Sequence, residues 1–233
     1  MKNLTIAIDG PSGVGKSTAA KLTAQLLGIT YIDTGAMYRA VALYNLRKTP
    51  RIFARTSSCK NPSLEQSLNE ISIDLKIINN EQRILLNGED ISEKIRTQEV
   101  SDYTSRVVAV NETVRQKLVE MQQCMATKQP VVMDGRDIGS KVLPFAPVKI
   151  YLDAAPEVRA KRRALEMEQK GEPSDFGQIL AEIIERDERD KTRPVSPLIK
   201  TEDAVYIDTG NLTPMEVAKK IVEISEVAKC TIS

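Results

Sequence analysis

The chain contains no histidine in its 233 residues. This absence excludes a Ser-His-Asp triad, a histidine general base and histidine ligands for a metal ion. Any chemistry must therefore use carboxylates, lysines, arginines, hydroxyl groups and backbone amides, with or without a metal ion that a substrate brings.

Cysteine is also scarce, and long apolar runs are absent. The three cysteines, Cys59, Cys124 and Cys230, are an odd number, lie far apart and show no CxxC spacing. This pattern argues against a disulfide framework and favours a reducing cytoplasm. The first apolar run, residues 4–8, is too short for a signal-peptide core, and no run reaches the roughly 18 residues of a membrane span. We therefore expect a cytoplasmic protein with no membrane partner.

Charge of one sign is not in excess. Lys and Arg number 33 against 32 Asp and Glu, a net charge of +1, whereas a general nucleic-acid-binding module carries a large basic excess. The hydrophobic fraction of 41% and the charged fraction of 28% are typical of a globular protein. We expect no nucleic-acid partner. Nothing in the sequence indicates an oligomer, and we expect a monomer.

Short apolar segments alternate with helical patterns along most of the chain, which predicts an α/β fold with a parallel sheet. The strand candidates are residues 4–9, 29–32, 130–134, 148–153 and 204–208. The helix candidates are residues 16–27, 36–46, 111–128, 156–170, 176–191 and 214–227.

One stretch interrupts this alternation. Residues 49–67 are rich in proline and serine and predict a loop. Residues 71–78 and 83–87 then alternate apolar and polar side chains on either side of residues 79–81, which predicts a hairpin. A new helical pattern starts at Ser92. We interpret residues 48–100 as a small insertion in the core.

The segment GPSGVGKS at residues 10–17 matches GxxxxGK[ST], and a predicted strand precedes it while a predicted helix follows. The glycines let backbone N–H groups turn inward around phosphate oxygens, and the helix dipole adds to their attraction. Lys16 would place its charge on the β- and γ-phosphates of ATP, and Ser17 would hold Mg²⁺. The predicted ATP-binding residues of this P-loop are Gly10, Pro11, Ser12, Gly13, Val14, Gly15, Lys16, Ser17 and Thr18.

Asp134 follows the apolar residues 131–133 at the end of a predicted strand. Its carboxylate would lie near the Mg²⁺ of MgATP, directly or through water. The alternative is an aspartate that caps a turn after the strand. The P-loop elsewhere in the chain favours the metal site.

Seven motifs occur in an order that resembles the cytidylate kinase family of P-loop nucleoside monophosphate kinases. They cover nearly the whole chain, and only residues 49–69 match poorly. The motifs are IDGPSGVGKST at 8–18, YIDTGAMYRA at 31–40, LNGEDIS at 86–92, IRTQEVS at 95–101, VVMDGRDIGS at 131–140, PVKIYLDA at 147–154 and ERDERDKTRPVSPL at 185–198.

The resemblance implies a P-loop core with a parallel five-stranded sheet flanked by helices, made of residues 1–47, 101–155 and 186–233. It implies an inserted monophosphate-binding domain at 48–100 and a helical lid at 156–185. It also implies transfer of the γ-phosphate of MgATP to CMP or dCMP.

Site residues follow from the same resemblance. Thr34 would contact the acceptor nucleotide and Arg39 would clamp its phosphate, as a guanidinium fork can. Ser105, Arg115 and Asp137 would read the base, because a carboxylate can accept the N4 amino group of cytosine. The remaining residues in contact with the acceptor would be Arg186, Asp190 and Arg193. The catalytic residues would be Lys16, Arg136, Arg186 and Arg193. The candidate arginines of the lid would be Arg159, Arg162 and Arg163.

Alternatives remain at this stage. Asp137 could form a salt bridge with Arg136, Arg39 and Arg115 could be solvated helix arginines, and residues 186–193 could be a solvated charged helix face. The acceptor could be UMP, TMP or shikimate, or the protein could be a nucleotide-binding switch. A GTPase is disfavoured because no Asn-Lys-x-Asp segment is present.

Overall fold

The computed structural model describes residues 3–48, 62–78 and 81–232. The chain divides into two compact units, one made of Met1–Tyr31 with Ala126–Ser233 and the other of Ile32–Met125. The domain boundaries expected at residues 48, 100, 155 and 186 stay a prediction.

The strands and helices alternate in the order that the sequence predicts, with ends shifted by a few residues. The strands are β1 (Thr5–Asp9), β2 (Thr30–Asp33), β3 (Ile73–Ile78), β4 (Glu81–Leu86), β5 (Glu89–Asp90), β6 (Val131–Gly135), β7 (Val148–Asp153) and β8 (Val205–Asp208). The helices are α1 (Lys16–Leu27), α2 (Thr34–Lys48), α3 (Pro62–Ser67), α4 (Gln98–Tyr103), α5 (Glu112–Lys128), α6 (Pro156–Gln169), α7 (Phe176–Thr192) and α8 (Pro214–Ile232). Among the described residues, no helix combines the length and the apolar content that crossing a bilayer requires.

The first unit is built on a five-stranded sheet with the strand order β2-β6-β1-β7-β8. The central strand β1 runs parallel to β6 on one side and to β7 on the other. Ile6, Ala7 and Ile8 are fully buried, as expected of a parallel sheet that helices cover on both faces. The predicted parallel five-stranded sheet is therefore confirmed. Its carboxyl edge gathers the residues that follow β1, β6 and β7.

The second unit packs α2 against a three-stranded antiparallel sheet with the order β3-β4-β5. Met37 and Val41 of α2 are fully buried and share one apolar cluster with Ile84 of β4. The predicted hairpin is confirmed, since Ile73 pairs with Leu86 in an antiparallel register. The predicted turn residues 79–80 lie outside the described residues.

The expectation of a loop throughout residues 49–67 is wrong at its end. Residues 49–61 lie outside the described residues, but Pro62–Ser67 form the short helix α3. Leu64 is fully buried in the apolar cluster of this unit. The Ser67 hydroxyl donates to the Leu64 carbonyl at 2.6 Å and accepts from the Asn45 amide nitrogen at 3.0 Å. Tertiary packing therefore fixes a segment whose composition is typical of a loop.

The helical pattern that starts at Ser92 is interrupted. Lys94–Arg96 form a 3₁₀ turn, and α4 begins only after Thr97, whose hydroxyl accepts from the backbone N–H of Val100. The extended backbone of Thr97 and its capping hydroxyl are typical of a new helix start. The segment thus contains two short helical pieces in place of one helix.

Replacing Leu64 by alanine should reduce the free energy of unfolding by about 2–5 kcal/mol, because the change leaves a cavity in a packed core. Urea unfolding followed by circular dichroism measures this loss. The matched variant Leu165→Ala changes a side chain that is 56% exposed, and it should shift stability by less than about 0.5 kcal/mol. Equal and small effects of both variants would contradict the buried position of Leu64.

Candidate active site

The P-loop lies between β1 and α1 and approaches β7 closely. Gly10 has φ of 150°, and a Cβ on this residue would lie only 2.1 Å from the Leu152 carbonyl oxygen. Gly13 and Gly15 also have positive φ, at 74° and 88°. These conformations suit glycine, and they turn the chain from the sheet edge into the N-terminus of α1. The predicted strand, loop and helix therefore follow one another as the motif requires.

Lys16 is folded back over this loop. Its side chain is buried, and Nζ donates to the Pro11 carbonyl oxygen at 2.5 Å. Burial, followed by the positive charge of Arg136, holds the pKa of Lys16 well below its usual value. A bound polyphosphate would offset both effects, because it supplies negative charge at the ammonium group.

Ser17 and Asp134 meet at the carboxyl edge of the sheet. Ser17 Oγ donates to Asp134 Oδ2 at 2.9 Å, and the hydroxyl of Tyr31 donates to Asp134 Oδ1 at 2.8 Å. Hydroxyl and carboxylate oxygens are the ligands that Mg²⁺ prefers. In the part of the chain that the structure describes, no group of three His, Cys, Asp or Glu side chains could hold a metal ion. The pair therefore fits a Mg²⁺ ion that brings phosphate ligands with it.

Asp9, the last residue of β1, is buried beside the P-loop. Its Oδ1 accepts the backbone N–H of Ile138 at 2.8 Å, and its Oδ2 accepts that of Gly139 at 2.7 Å. Burial raises the pKa of Asp9 to about 7, while the two backbone donors act in the opposite direction. The sequence did not single out this carboxylate.

Two charge pairs follow β6. Arg136 Nε donates to Asp190 Oδ2 at 2.8 Å, and Asp137 Oδ1 lies 3.7 Å from Arg193 Nη2. Burial acts to lower the pKa of Arg136, but the charge of Asp190 raises it above its usual value. Burial likewise acts to raise the pKa of Asp190, and Arg136 holds it below its usual value. Both residues of the pair therefore stay charged at neutral pH.

Of the three lid candidates, Arg159 is the most buried, with 2% of its surface exposed. It donates to the carbonyl oxygens of Ala154 and Ser12, each at 2.9 Å, and to Asp187 Oδ2 at 2.5 Å. In this arrangement Arg159 supports the P-loop from α6. A role for it in a closing lid stays a prediction.

Arg162 and Arg163 lie further along α6. Arg162 donates to the Thr209 carbonyl oxygen at 2.6 Å, and the Thr209 hydroxyl donates to the Val14 carbonyl oxygen of the P-loop at 3.1 Å. Arg163 is exposed. Arg162 is thus linked to the P-loop through one residue.

Comparison of the sequence with known proteins identifies the family of this chain. The sequence model of the cytidylate kinase family matches residues 6–227. The cytidylate kinase of Caldicellulosiruptor bescii is 48% identical over 224 residues, which cover 96% of each chain. The chain belongs to the cytidylate kinase family. The resemblance that the seven motifs predict is confirmed.

Other relatives agree with this assignment. The cytidylate kinase of Bacillus subtilis is 44% identical over 225 residues, which cover 97% of each chain. The crystal structure of an uncharacterized protein from Eubacterium ventriosum has a TM-score of 0.51 at 14% identity, covering 97% of this chain and 99% of that one. At this identity the structural likeness concerns the fold alone.

Four of the residues predicted for this cytidylate kinase family member, Thr34, Arg39, Ser105 and Arg115, lie in the second unit. Thr34, the first residue of α2, is buried, and Arg39 Nη2 donates to Asp33 Oδ2 at 3.0 Å. Ser105 is buried in the π-helical turn Thr104–Val108. Arg115 is buried too, and its Cζ lies 5.4 Å from the centre of the Tyr38 ring, a cation–π distance. Thr34, Ser105 and Arg115 are therefore buried in this unit, and Arg115 is not a solvated helix arginine.

Arg186 and Arg193 lie at the end of α7 in the first unit. Arg186 is half-buried on the helix. Arg193 follows the last helical residue, Thr192, and its Nε donates to the Ser196 carbonyl oxygen at 2.6 Å. The predicted helix face therefore ends one residue before Arg193, and the chain after α7 holds this arginine in place.

Sequence reasoning missed Asp9, Tyr31 and Asp187. Each forms its hydrogen bond with a residue far away along the chain, so no local spacing could reveal it. The available signal for Asp9 was its position, since an acidic residue that ends a central parallel strand lies at the ligand-binding edge of the sheet. Tyr31 opens one of the family motifs, but that motif assigns it no role.

Replacing Arg159 by alanine should reduce the free energy of unfolding by about 3–5 kcal/mol, because Asp187 would stay buried without its partner. Chemical unfolding monitored by circular dichroism measures this loss. The control Arg163→Ala removes an exposed arginine of the same helix and should change stability by less than about 0.5 kcal/mol. Wild-type stability of Arg159→Ala with a raised KM for ATP would instead assign Arg159 to nucleotide binding alone.

Proposed function

We propose that this protein is a nucleoside monophosphate kinase that transfers the γ-phosphate of ATP to CMP and dCMP. One observation carries the proposal beyond family membership. The charge pairs Arg136–Asp190 and Asp137–Arg193 lie in the same unit as the P-loop, and all of these side chains except the partly buried Arg136 are buried. The charges of Arg136, Asp190 and Arg186 all act on Lys16. A nucleotide switch has no use for such an array, whereas a kinase needs it for its acceptor.

The donor side would use the P-loop, residues 10–18. Its backbone N–H groups and the N-terminus of α1 would surround the phosphates, with Lys16 at the β- and γ-phosphates. Ser17 and Asp134 would hold Mg²⁺, which supplies charge neutralisation at the transferred phosphate. The hydrogen bond from Tyr31 would keep the Asp134 carboxylate turned toward Ser17.

The acceptor side would use the residues that the family resemblance assigns to it. Thr34 and Arg39 would bind the nucleotide and its phosphate, and Arg186, Asp190 and Arg193 would bind the sugar and the phosphate. Asp137, with Ser105 and Arg115, would select cytosine. The Asp137 carboxylate accepts from the N4 amino group of cytosine, whereas the O4 of uracil would face it as a second acceptor. Such an unmatched buried pair gives strong discrimination.

The transfer itself needs no histidine. The attacking group is a phosphate oxygen of the acceptor, which is already anionic, so no strong general base is required. Lys16, Arg136, Arg186 and Arg193 would neutralise the charge that develops on the transferred phosphoryl group. Positioning would supply much of the remaining rate. Closure of the proposed lid, residues 156–185, would exclude water as a competing acceptor.

The second candidate is a P-loop kinase for another acceptor, such as UMP or TMP. The buried Asp137 beside Arg193 favours cytosine over these bases. A cytoplasmic location and a monomeric state stay predictions.

An ADP-release assay with MgATP and one acceptor at a time tests the proposal. CMP and dCMP should turn over rapidly, and UMP, AMP, GMP, TMP and shikimate should react slowly. Lys16→Ala should lose most of this turnover and serves as the blank, because the charge at the β- and γ-phosphates is gone. Fast turnover with another acceptor would support the second candidate, and ADP release independent of any acceptor would support a nucleotide switch.

Replacing Asp137 by asparagine should reverse the hydrogen-bonding preference at the base. We expect kcat/KM for CMP to fall by about 100-fold or more, and kcat/KM for UMP to fall less, because an amide can donate to O4. Steady-state kinetics with both acceptors measure the change, and the KM for ATP should stay within about threefold of wild type. Asp74→Asn, an exposed change on β3, serves as the control. A parallel loss with CMP and UMP would make Asp137 a structural residue.

A further inference from the structure

The Asp9 carboxylate connects the central strand to the segment that follows β6. Asp9 stands opposite Gly135 of β6 and Tyr151 of β7 in the parallel registers. It is only 6% exposed, and each of its two oxygens accepts one backbone N–H. A buried carboxylate that accepts two backbone donors holds those two peptide groups at fixed positions.

The two bonded peptide groups belong to the residues directly after Asp137. Asp137 itself has φ of −144° and ψ of 26°, outside the helical and strand regions, and it precedes the π-helical turn Ile138–Val142. Its carbonyl oxygen accepts from the backbone N–H of Lys141 at 2.8 Å. The Asp137 backbone is therefore held by its own turn and by Asp9, and its side-chain direction follows from that backbone.

The fit around this link is tight. A Cβ on Gly139 would lie 3.2 Å from Lys149 Cδ and 3.4 Å from Asp9 Oδ2. The Lys149 side chain is itself held by Asp203 at 2.6 Å. The segment has little room to move while Asp9 accepts both N–H groups.

We infer that Asp9 is a positioning residue for Asp137 and thereby sets the preference for cytosine over uracil. This inference rests on the proposed function, since Asp137 selects the base only if the acceptor is a cytidine nucleotide. Asp9 would contact neither substrate. It would act by fixing the Ile138 and Gly139 peptide groups, so that the Asp137 carboxylate meets the N4 amino group of cytosine.

Both oxygens of Asp9 are needed for this role. An asparagine has the same shape, but it offers one acceptor oxygen and turns an NH₂ group toward the second N–H. One backbone donor would then lose its partner, and the segment would shift. A displacement of about 1 Å can cost about 100-fold in a reaction that depends on positioning.

Protonation of Asp9 should have a similar effect in the wild-type protein. The charged groups that face it are Asp137, Lys16 and Lys149, with Tyr151 on β7. Burial, opposed by the two backbone donors, raises the pKa of Asp9 to about 7, whereas the pKa of Tyr151 is raised to about 12 by burial. Asp9 is ionised above pH 7 and accepts both N–H groups there. Below pH 7 one oxygen becomes a donor, so cytosine preference should decline as pH falls.

The test compares kcat/KM for CMP and UMP in wild type and in Asp9→Asn. We expect the ratio to fall by about 10-fold or more in the variant, with the KM for ATP within about threefold of wild type. Asp153→Asn is the matched control, because Asp153 ends the neighbouring strand β7 and its side chain accepts the Ala154 N–H at 2.9 Å through one oxygen, Oδ1. It should keep the wild-type ratio. A general loss of stability would lower both activities and leave the ratio unchanged.

An unchanged CMP-to-UMP ratio in folded Asp9→Asn would overturn the inference, provided that wild type phosphorylates CMP. Absence of CMP phosphorylation by wild type would overturn the proposed function itself. If Asp9→Asn does not fold, the CMP-to-UMP ratio of kcat/KM is measured for the wild-type protein between about pH 5.5 and 8.5. Protonation of the acceptor phosphate or of Lys16 changes kcat/KM for CMP and for UMP alike, so these titrations do not change the ratio. A ratio that titrates with the same midpoint as the Gly139 amide shift in NMR supports the inference, and a flat ratio or a different midpoint overturns it.

Discussion

Mutual pairing of buried charges is the constraint on which the first unit depends. Asp134, Arg159 and Asp190 are each less than a tenth exposed. A buried ion costs several kcal/mol unless an opposite charge and hydrogen bonds compensate it. Arg159 forms an ion pair with Asp187, and Asp190 forms one with Arg136. Asp134 accepts hydrogen bonds from two hydroxyl groups. The loop and strand ends must hold these partners together, so the active-site geometry is a condition of stable folding.

Lys16 differs from these pairs, because a ligand can supply the negative charge that compensates it. The Lys16 ammonium group donates to the neutral carbonyl oxygen of Pro11, and burial together with the charge of Arg136 lowers its pKa. Negative phosphate oxygens would compensate a cation that the protein compensates incompletely. Such an arrangement is prepared before the substrate binds, which is how electrostatic catalysis avoids reorganisation during the reaction. The absence of histidine is consistent with a reaction that depends on this prepared charge.

Local patterns in the sequence predicted most of the fold and the parts of the site that lie within one motif. Strand and helix periodicity located the parallel sheet, and GxxxxGK[ST] located the P-loop between β1 and α1. Composition could not reveal α3, because the burial of Leu64 in a distant cluster stabilises it. Local patterns could not identify Asp9 and Tyr31 either, because their hydrogen-bond partners lie 129 and 103 residues away along the chain. Contacts of this kind depend on strand order, which a single sequence does not specify.

Helix α7 connects the supports of the donor and acceptor sides within the first unit. Asp187 and Asp190 are three residues apart and therefore lie on one helix face. Asp187 holds Arg159, which donates to the P-loop carbonyl of Ser12, and Asp190 holds Arg136 after β6. Because the helix is stiff, a rotation or shift of α7 would displace both carboxylates at once. The phosphate loop and the arginine proposed for phosphoryl transfer thus share one support, so they should keep their relative position when the helix moves.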